Sequence, residues 1–257
     1  MQTLTEIWSF FSGRRFYLPA TIRPTDVFLV SFPKSGNTWL RFLIANLIDP
    51  TKEWNLKNIN EVIPGVYNHL NEINAMMGKR YIKSHDQAFR HYPKYIYIYR
   101  DYRDVLVSYY FFLAGSGKFK GSISDFVQSR IPSSAFGTWS DHVSKSLKDN
   151  QVRPDSSLIV RYEDLELDTI TQLERIATFI QEPIKIHSSE IVEKCSFQQL
   201  KSLEKKYGRV FDDIHRPFFR SGRSGDWKSH LSDKDVEIIF ANSAVTEVMK
   251  NLNYLSQ

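Results

Sequence analysis

The amino-acid sequence predicts a single α/β domain over residues 1–257, with a central parallel sheet flanked by helices. Short apolar runs alternate with segments of helical periodicity, which is the pattern of successive βα units. The chain contains no internal repeat and no linker rich in proline, glycine or serine that would separate two domains. Its composition, 42% hydrophobic and 25% charged, is that of an ordinary globular protein with its own core.

Four short apolar runs predict the strands of this sheet. Each is bounded by polar or turn-forming residues, and a continuous apolar run is typical of a strand that is buried on both faces. The predicted strands are residues 27–31, 81–83, 95–99 and 158–162.

Helical patterns follow three of these strands, and a fourth lies near the C-terminus. Residues 37–48 leave little polar face, which predicts a helix that is buried almost all round. Ser232 and Asp235 resemble a capping box, which predicts the start of the C-terminal helix. The segments 50–78 and 114–135 lack such patterns and are predicted to be irregular. The predicted helices are residues 37–48, 104–113, 170–180 and 232–252.

The charge balance and the cysteine count limit the class of ligand. Lysine and arginine together number 34 against 29 aspartate and glutamate, a net charge of +5 that favours anionic ligands. No basic run or zinc-finger spacing is present, so nucleic acid is not a predicted partner. The single cysteine, Cys195, excludes an internal disulfide and a site with several thiolate ligands, and no other metal-ligand spacing is evident.

The sequence predicts a protein without a membrane span. No stretch approaches the ~20 apolar residues that a transmembrane helix needs. The N-terminal segment carries Ile7, Trp8, Phe10 and Phe11 without the basic region of a signal peptide before them. These side chains predict a packed helix, with peripheral membrane contact as the alternative, and we expect a cytoplasmic location.

Residues 32–39, FPKSGNTW, form a predicted turn between the first strand and its helix. Gly36 permits close approach of the backbone to an anion, and the first N–H groups of the helix point towards it. Lys34 adds a positive charge, while Ser35 and Thr38 offer hydroxyl donors. The motif is not a Walker A loop, because Lys34 precedes the glycine. The alternative is an ordinary strand–turn–helix with an exposed lysine.

Four segments of the chain, in order, resemble those of the sulfotransferases that use 3′-phosphoadenosine-5′-phosphosulfate (PAPS). The first resembles their phosphosulfate-binding loop, the third the segment that holds the 3′-phosphate, and the fourth their glycine-rich C-terminal signature. Together they lie between residues 27 and 232, most of the chain. The segments are residues 32–39, 81–85 (YIKSH), 99–110 (YRDYRDVLVSYY) and 220–232 (RSGRSGDWKSHLS).

The resemblance implies a sulfotransferase fold related to that of nucleotide kinases. It implies transfer of a sulfuryl group from PAPS to a hydroxyl or amine acceptor, with release of adenosine 3′,5′-bisphosphate (PAP) and without a metal. The acceptor is expected to be a small molecule or a glycan. A nucleotide or adenylylsulfate kinase is the alternative enzyme, and a relative that binds the nucleotide without transferring anything is the alternative outside enzymes.

The resemblance also assigns catalytic residues. Lys34 is expected to neutralise the oxygen that bridges sulfur and phosphorus. His85 is the candidate general base, since histidine titrates near neutral pH. The alternative is a surface histidine whose hydrogen bonds are made within the protein, and we favour that interpretation for the other six histidines. Lys83 is expected as an active-site charge, and Ser108 as a residue of the catalytic and 3′-phosphate region.

Nucleotide contacts are implied along the whole chain. The alternative for Arg100 is a structural ion pair with Asp101 or Asp104. The alternative for Trp39 and Phe197 is packing in the hydrophobic core without contact to a nucleotide. The implied residues are Lys34, Ser35, Gly36, Asn37, Thr38 and Trp39 in the loop, Arg100, Ser108, Arg220, Ser221 and Gly222 for the 3′-phosphate, and Tyr162, Cys195, Ser196 and Phe197 for the adenine.

The acceptor is not identified by the sequence, and phenols, alcohols, amines and sugars all stay open. Acceptor loops are expected within the segments 50–78 and 114–135. A monomer or weak dimer is expected, because Asp233 stands where the dimer motif of vertebrate relatives has an apolar valine. Candidate acceptor-pocket residues are Tyr67, His69, Phe111, Phe112 and Phe136.

Overall fold

The computed structural model describes residues 16–129, 133–208 and 217–255, so the predicted N-terminal helix lies outside the described residues. The strands of the described residues are β1 (Val27–Val30), β2 (Tyr81–Ser84), β3 (Lys94–Tyr99), β4 (Ser133–Ser134), β5 (Gly137–Thr138) and β6 (Ser157–Arg161). The α-helices are α1 (Asn37–Ile48), α2 (Leu70–Ala75), α3 (Tyr102–Gly115), α4 (Ile123–Gln128), α5 (Trp139–Val152), α6 (Tyr162–Leu167), α7 (Thr169–Ile180), α8 (Ser188–Lys194), α9 (Phe197–Tyr207), α10 (Asp233–Phe240) and α11 (Ser243–Asn251).

Four parallel strands form the central sheet in the order β2-β1-β3-β6, and β4 pairs with β5 in a small antiparallel ladder. Val30 at the end of β1 lies opposite Ser84 on one side and Tyr97 on the other. The α/β class with a parallel sheet is therefore confirmed, and the four predicted strands agree with the structure to within a residue or two at each end. Apolar side chains of β1 are buried on both faces, which explains its unbroken apolar run.

Helices cover both faces of the sheet. One core cluster joins α1, α7 and α8 to the sheet, and a second joins α3, α5 and α11 to its other face. Helix α1 has the predicted bounds and buries most of its residues, as its apolar circumference indicated.

Two predictions about helices were wrong. The C-terminal helix is interrupted after Phe240, because Asn242 is extended and its side chain caps a new helix by accepting from the Val245 N–H. The segments 50–78 and 114–135 are not wholly irregular, since they contain α2 and α4. Helix α4 begins at a capping box of Ser122 and Asp125, a sequence signal that does not depend on apolar periodicity.

The parallel arrangement decides where the functional residues gather. The loop of residues 31–36, His85, Arg100 and Tyr162 each follow the carboxyl end of a sheet strand. These ends lie at one edge of the sheet, which is where open α/β sheets bind their ligands.

Candidate active site

The turn between β1 and α1 brings Lys34 to this edge. Gly36 adopts φ 104°, and a Cβ at this position would lie 2.5 Å from a ring carbon of Tyr162, so that only glycine fits. Lys34 itself has φ 70°, a left-handed conformation that costs a non-glycine residue free energy and recurs at functional sites.

The ammonium of Lys34 lies between two aromatic rings rather than beside a carboxylate. Its Nζ is 4.4 Å from the centroid of Phe112 and 4.9 Å from that of Phe218. Burial, together with the nearby charges of Arg100 and Arg220, lowers the pKa of Lys34 to about 8. A positive charge in this position, with no ion pair to a carboxylate of the described residues, is suited to an anionic ligand.

A cavity of about 260 Å³ opens beside Lys34. Cations and a hydroxyl share its wall with aromatic rings, as expected of a pocket that receives an anionic group on an organic ligand. The lining residues are Lys34, Ser108, Phe111, Phe112, Pro217, Phe218 and Arg220.

Two buried donors in this region have no hydrogen-bond partner among the described residues. They are the hydroxyl of Ser35 in the turn and the Nε of Arg100. Buried polar groups are nearly always bonded in folded proteins. Unfilled donors in the same region as the Lys34 ammonium therefore favour a ligand that supplies acceptor oxygens.

Arg100 and Arg220 provide further positive charge, although both also have partners within the chain. Arg100 donates to the carbonyl oxygen of Arg223 at 2.8 Å, and its Nη2 lies 3.6 Å from Asp104. The ion-pair alternative for Arg100 thus describes one of its contacts. Arg220 ion-pairs with Asp226, whose carboxylate also accepts from the Ser221 hydroxyl at 2.9 Å.

His85 is held in one tautomer. Its Nδ1 lies 2.7 Å from the carbonyl oxygen of Ser31, which can only accept, so that Nδ1 carries the proton and Nε2 is bare. Burial lowers the pKa of His85 well below its usual range, and the charge of Lys83 acts in the same direction. The imidazole is therefore neutral near pH 7, as a general base requires.

Aromatic rings surround His85. The Tyr67 ring is nearly parallel to the imidazole at a centroid distance of 6.3 Å, and the Phe136 ring lies 5.4 Å away. Lys83 places its Nζ 5.2 Å from the Tyr67 centroid, and burial together with the Arg41 charge lowers the pKa of Lys83 to about 7. Apart from the Lys83 ammonium, the groups that surround His85 here are aromatic rings and uncharged hydrogen-bond partners.

The candidate acceptor residues divide between two places. Tyr67 and Phe136 flank His85. Phe112 contacts Lys34, and the centroid of the Phe111 ring lies 4.4 Å from the Cζ of Arg220. His69 is not brought to this group, because its imidazole faces Glu72 at 3.4 Å on the start of α2.

The candidate adenine residues form a separate group around α1 and α9. Trp39 packs edge-on against Tyr162 and donates through Nε1 to the Cys195 carbonyl at 3.0 Å. The thiol of Cys195 is fully buried and accepts from the Asn46 amide at 3.4 Å, and burial raises its pKa to about 12. Ser196 caps α9, and the Phe197 ring lies directly against Gly222, where a Cβ would come within 2.1 Å.

Asn37 and Thr38, the remaining loop candidates, open α1. The Asn37 amide donates to the Leu29 carbonyl at 3.1 Å and to the Ser31 hydroxyl at 3.3 Å. Its side chain therefore ties the turn to β1, and Thr38 is half-buried on the first turn of the helix.

Two carboxylates hold the glycine-rich segment and the residues just before it in place, a role that the sequence did not indicate for either of them. Asp104 accepts from the N–H groups of Gly225 and Trp227 at 2.8 and 2.9 Å. Glu204 accepts from Phe218 and Phe219 at 2.7 and 3.0 Å. These bonds join residues that are up to 123 positions apart, so no local pattern could have indicated them.

Within the described ranges no group of three or more histidine, cysteine, aspartate or glutamate side chains has the arrangement of a metal site. The same part of the chain contains no helix that is long and apolar enough to span a membrane.

The parallel sheet with a cationic turn at its carboxyl edge is the arrangement of an α/β protein that binds an anionic ligand. The sulfotransferase-domain family matches residues 24–252. The chain therefore belongs to the sulfotransferase family and is a sulfotransferase.

Relatives in plants support the family over most of the length. Flavonol 3-sulfotransferase of Flaveria bidentis is 31% identical, with 84% of this chain and 80% of that protein covered. Cytosolic sulfotransferase 17 of Arabidopsis thaliana is 30% identical, with coverage of 91% and 77%. Among solved structures, mouse sulfotransferase SULT7A1 complexed with PAP has a TM-score of 0.69 at 23% identity and covers 90% of this chain and 89% of its own, which shows the shared fold.

Proposed function

We propose that this sulfotransferase moves a sulfuryl group from PAPS to a hydroxyl or amine of a small-molecule or glycan acceptor, with His85 as general base and Lys34 stabilising the leaving phosphate. The observation that carries this proposal is the pairing of opposite environments at one sheet edge. Among the described residues no carboxylate pairs with the Lys34 ammonium between Phe112 and Phe218, and the neutral His85 imidazole, with no proton on Nε2, is close enough to feel the charge of Lys34.

The reaction is an in-line displacement at sulfur. The bare Nε2 of His85 accepts the proton of the acceptor as its oxygen or nitrogen forms a bond to sulfur. The bond between sulfur and the bridging oxygen breaks, and the leaving phosphate takes the electron pair. Lys34 neutralises the charge that develops there, with Lys83 as a second cation, and PAP leaves as product.

The remaining contacts fit a nucleotide with two anionic ends. Arg100, Ser108, Arg220, Ser221 and Gly222 are proposed to hold the 3′-phosphate, since charge-assisted bonds from arginine suit a phosphate. Ser35, Gly36, Asn37 and Thr38 are proposed to hold the 5′-phosphosulfate at the start of α1. Trp39, Tyr162, Phe197 and the backbone of Cys195 and Ser196 are proposed to enclose the adenine. The PAP complex of the mouse enzyme supports this donor.

We infer a cytosolic location, no metal, one catalytic domain and a monomer or weak dimer. Relatives that are named cytosolic sulfotransferases support the location. Asp233, at the position of the apolar dimer residue, is exposed at the start of α10.

Sulfate transfer from labelled PAPS to a panel of phenols, alcohols, amines and sugars tests the proposal. We expect transfer to at least one class, no transfer from adenylylsulfate, and no loss of rate in EDTA. Equal use of adenylylsulfate, or a loss of rate in EDTA that magnesium restores, would favour the kinase alternative instead.

A further inference from the structure

A second histidine, His142 on α5, lies directly behind the candidate base. It is fully buried, unlike the surface histidine that the sequence suggested. Its ring stacks on Tyr97 of β3 at 5.5 Å and meets Phe32, in the turn that carries Lys34, edge-on at 5.9 Å. His142 therefore contacts both the sheet and the turn, while it lies outside every segment that resembles the family pattern.

The hydrogen bonds of His142 determine its tautomer. Its Nε2 lies 2.8 Å from the backbone carbonyl oxygen of His85, which can only accept, so Nε2 carries the proton. Its Nδ1 lies 2.8 Å from the Tyr97 hydroxyl. Burial lowers the pKa of His142 to about 4, so the ring is neutral and Nδ1 accepts from Tyr97. The two histidines thus hold opposite tautomers.

The carbonyl that His142 binds has no partner in the sheet. Pairing between β1 and β2 ends at Val30 and Ser84, so the peptide of His85 lies just beyond the ladder. Its N–H donates to the Tyr67 hydroxyl at 2.6 Å, and its C=O accepts from His142. With Nδ1 bound to Ser31, the N–H, the C=O and Nδ1 of His85 are all hydrogen-bonded to described residues, which leaves Nε2 for the acceptor.

We propose that His142 is a positioning residue for sulfuryl transfer: held by the Tyr97 hydroxyl, it fixes the peptide of His85 and thereby the direction of the bare Nε2. This inference rests on the proposed role of His85 as the base. A misplacement of about 1 Å at a reacting group can lower a rate by about 10²-fold. The sheet cannot prevent such a misplacement here, because its hydrogen bonds end one residue earlier.

NMR of isotope-labelled histidine side chains tests the arrangement without an acceptor. In native protein we expect one buried histidine protonated at Nε2, assigned through His142→Asn, and another protonated at Nδ1, assigned through His85→Ala. In His142→Asn we expect the His85 signals to shift or broaden. A His142 protonated at Nδ1, or His85 signals that do not respond, would overturn the proposal.

Two substitutions of His142 separate its hydrogen bond from its volume. Glutamine places an amide nitrogen near the position of Nε2 and retains a donor for the His85 carbonyl, whereas asparagine is too short to reach it. With PAPS and the flavonol quercetin as probe acceptor, we expect kcat to fall by roughly 10- to 100-fold in His142→Asn and by less than about fivefold in His142→Gln. The KM for PAPS and the affinity for PAP should stay near native. Equal losses in both variants, or a matching loss of PAP affinity, would indicate a merely structural role.

Combination with His85→Ala shows whether His142 acts through the base. In the His85→Ala background, His142→Asn should lower the residual kcat no further, since coupled residues are not additive. Native turnover in His85→Ala would refute the base, whereas native turnover in His142→Asn beside an impaired His85→Ala would refute only the positioning role. If His142→Asn does not fold, Tyr97→Phe replaces it, because this variant retains the aromatic ring and removes only the hydroxyl that holds His142. A native kcat in Tyr97→Phe would equally count against the proposal.

Discussion

The site has two ends, one around Lys34 and one around His85, and their side chains differ in charge. Around Lys34 lie further cations and two buried donors, on Ser35 and Arg100, that have no partner among the described residues. The segment from Phe218 to Trp227 is held there by the carboxylates of Asp104 and Glu204. Around His85, with Lys83 as the exception, the chain gathers neutral rings and hydrogen bonds between uncharged groups. A charged ligand is held by the first kind of environment, and a proton acceptor stays unprotonated in the second. Substitutions at the Lys34 end should therefore change donor affinity, with Lys34 itself also affecting turnover, whereas substitutions at the His85 end should change turnover alone.

The largest effect is expected at the base. His85→Ala should lower kcat by roughly 10²–10⁴-fold, the range for loss of a general base, while PAP affinity barely changes. His69→Ala is the matched control, since His69 faces Glu72 on the start of α2 and should leave kcat native. Steady-state kinetics and calorimetry with PAP check both variants. Near-native turnover in His85→Ala would break the contrast between the two ends.

An intermediate effect is expected at the anion end. Arg100→Ala should weaken PAPS and PAP binding by about one to two orders of magnitude, because it removes a charge-assisted bond of about 1.5–3 kcal/mol. Adenylylsulfate lacks the 3′-phosphate, so it should bind weakly to native protein and respond little to the substitution. Arg90→Ala, an exposed arginine at the opposite end of β3, controls for net charge. If calorimetry shows equal affinity for adenylylsulfate and PAPS, these residues do not form a binding site for the 3′-phosphate.

The smallest effect concerns pH. Burial holds the pKa of Lys34 at about 8, so its positive charge is present below that pH and lost above it. The kcat/KM for PAPS should fall as pH rises through about 8, by up to about tenfold per pH unit if only the charged form binds. Lys83, with a pKa of about 7, should add a decline that begins about one pH unit lower.

Lys34→Arg keeps the charge at every pH in this range and sharpens the comparison. In this variant the decline of kcat/KM near pH 8 should disappear, whereas the decline near pH 7 that arises from Lys83 should remain. His85 should add no acid limb near pH 6.5, because its pKa lies well below that value. A profile of the arginine variant that matches the native one would assign the decline to another group.

Local patterns predicted the parts of the molecule that depend on near neighbours in sequence. The unbroken apolar run of β1 and the apolar circumference of α1 predicted a buried strand and a buried helix, because both reflect contact with a core on all sides. The break at Asn242 was missed, since the apolar spacing continues across it while a side-chain cap starts a new helix. Helix α4 was missed although Ser122 and Asp125 signalled it.

The sequence by itself determined the α/β class, the order of the strands along the chain and the four segments that carry the family pattern. Each of these depends on residue type and spacing within one short segment. Only the tertiary structure decided that Glu204 holds Phe218 beside Lys34, and that His142 binds the carbonyl of His85 57 residues away. A hydrogen bond between distant segments leaves no periodic trace in either of them, because a single buried donor and acceptor satisfy each other only after the sheet and its helices have assembled.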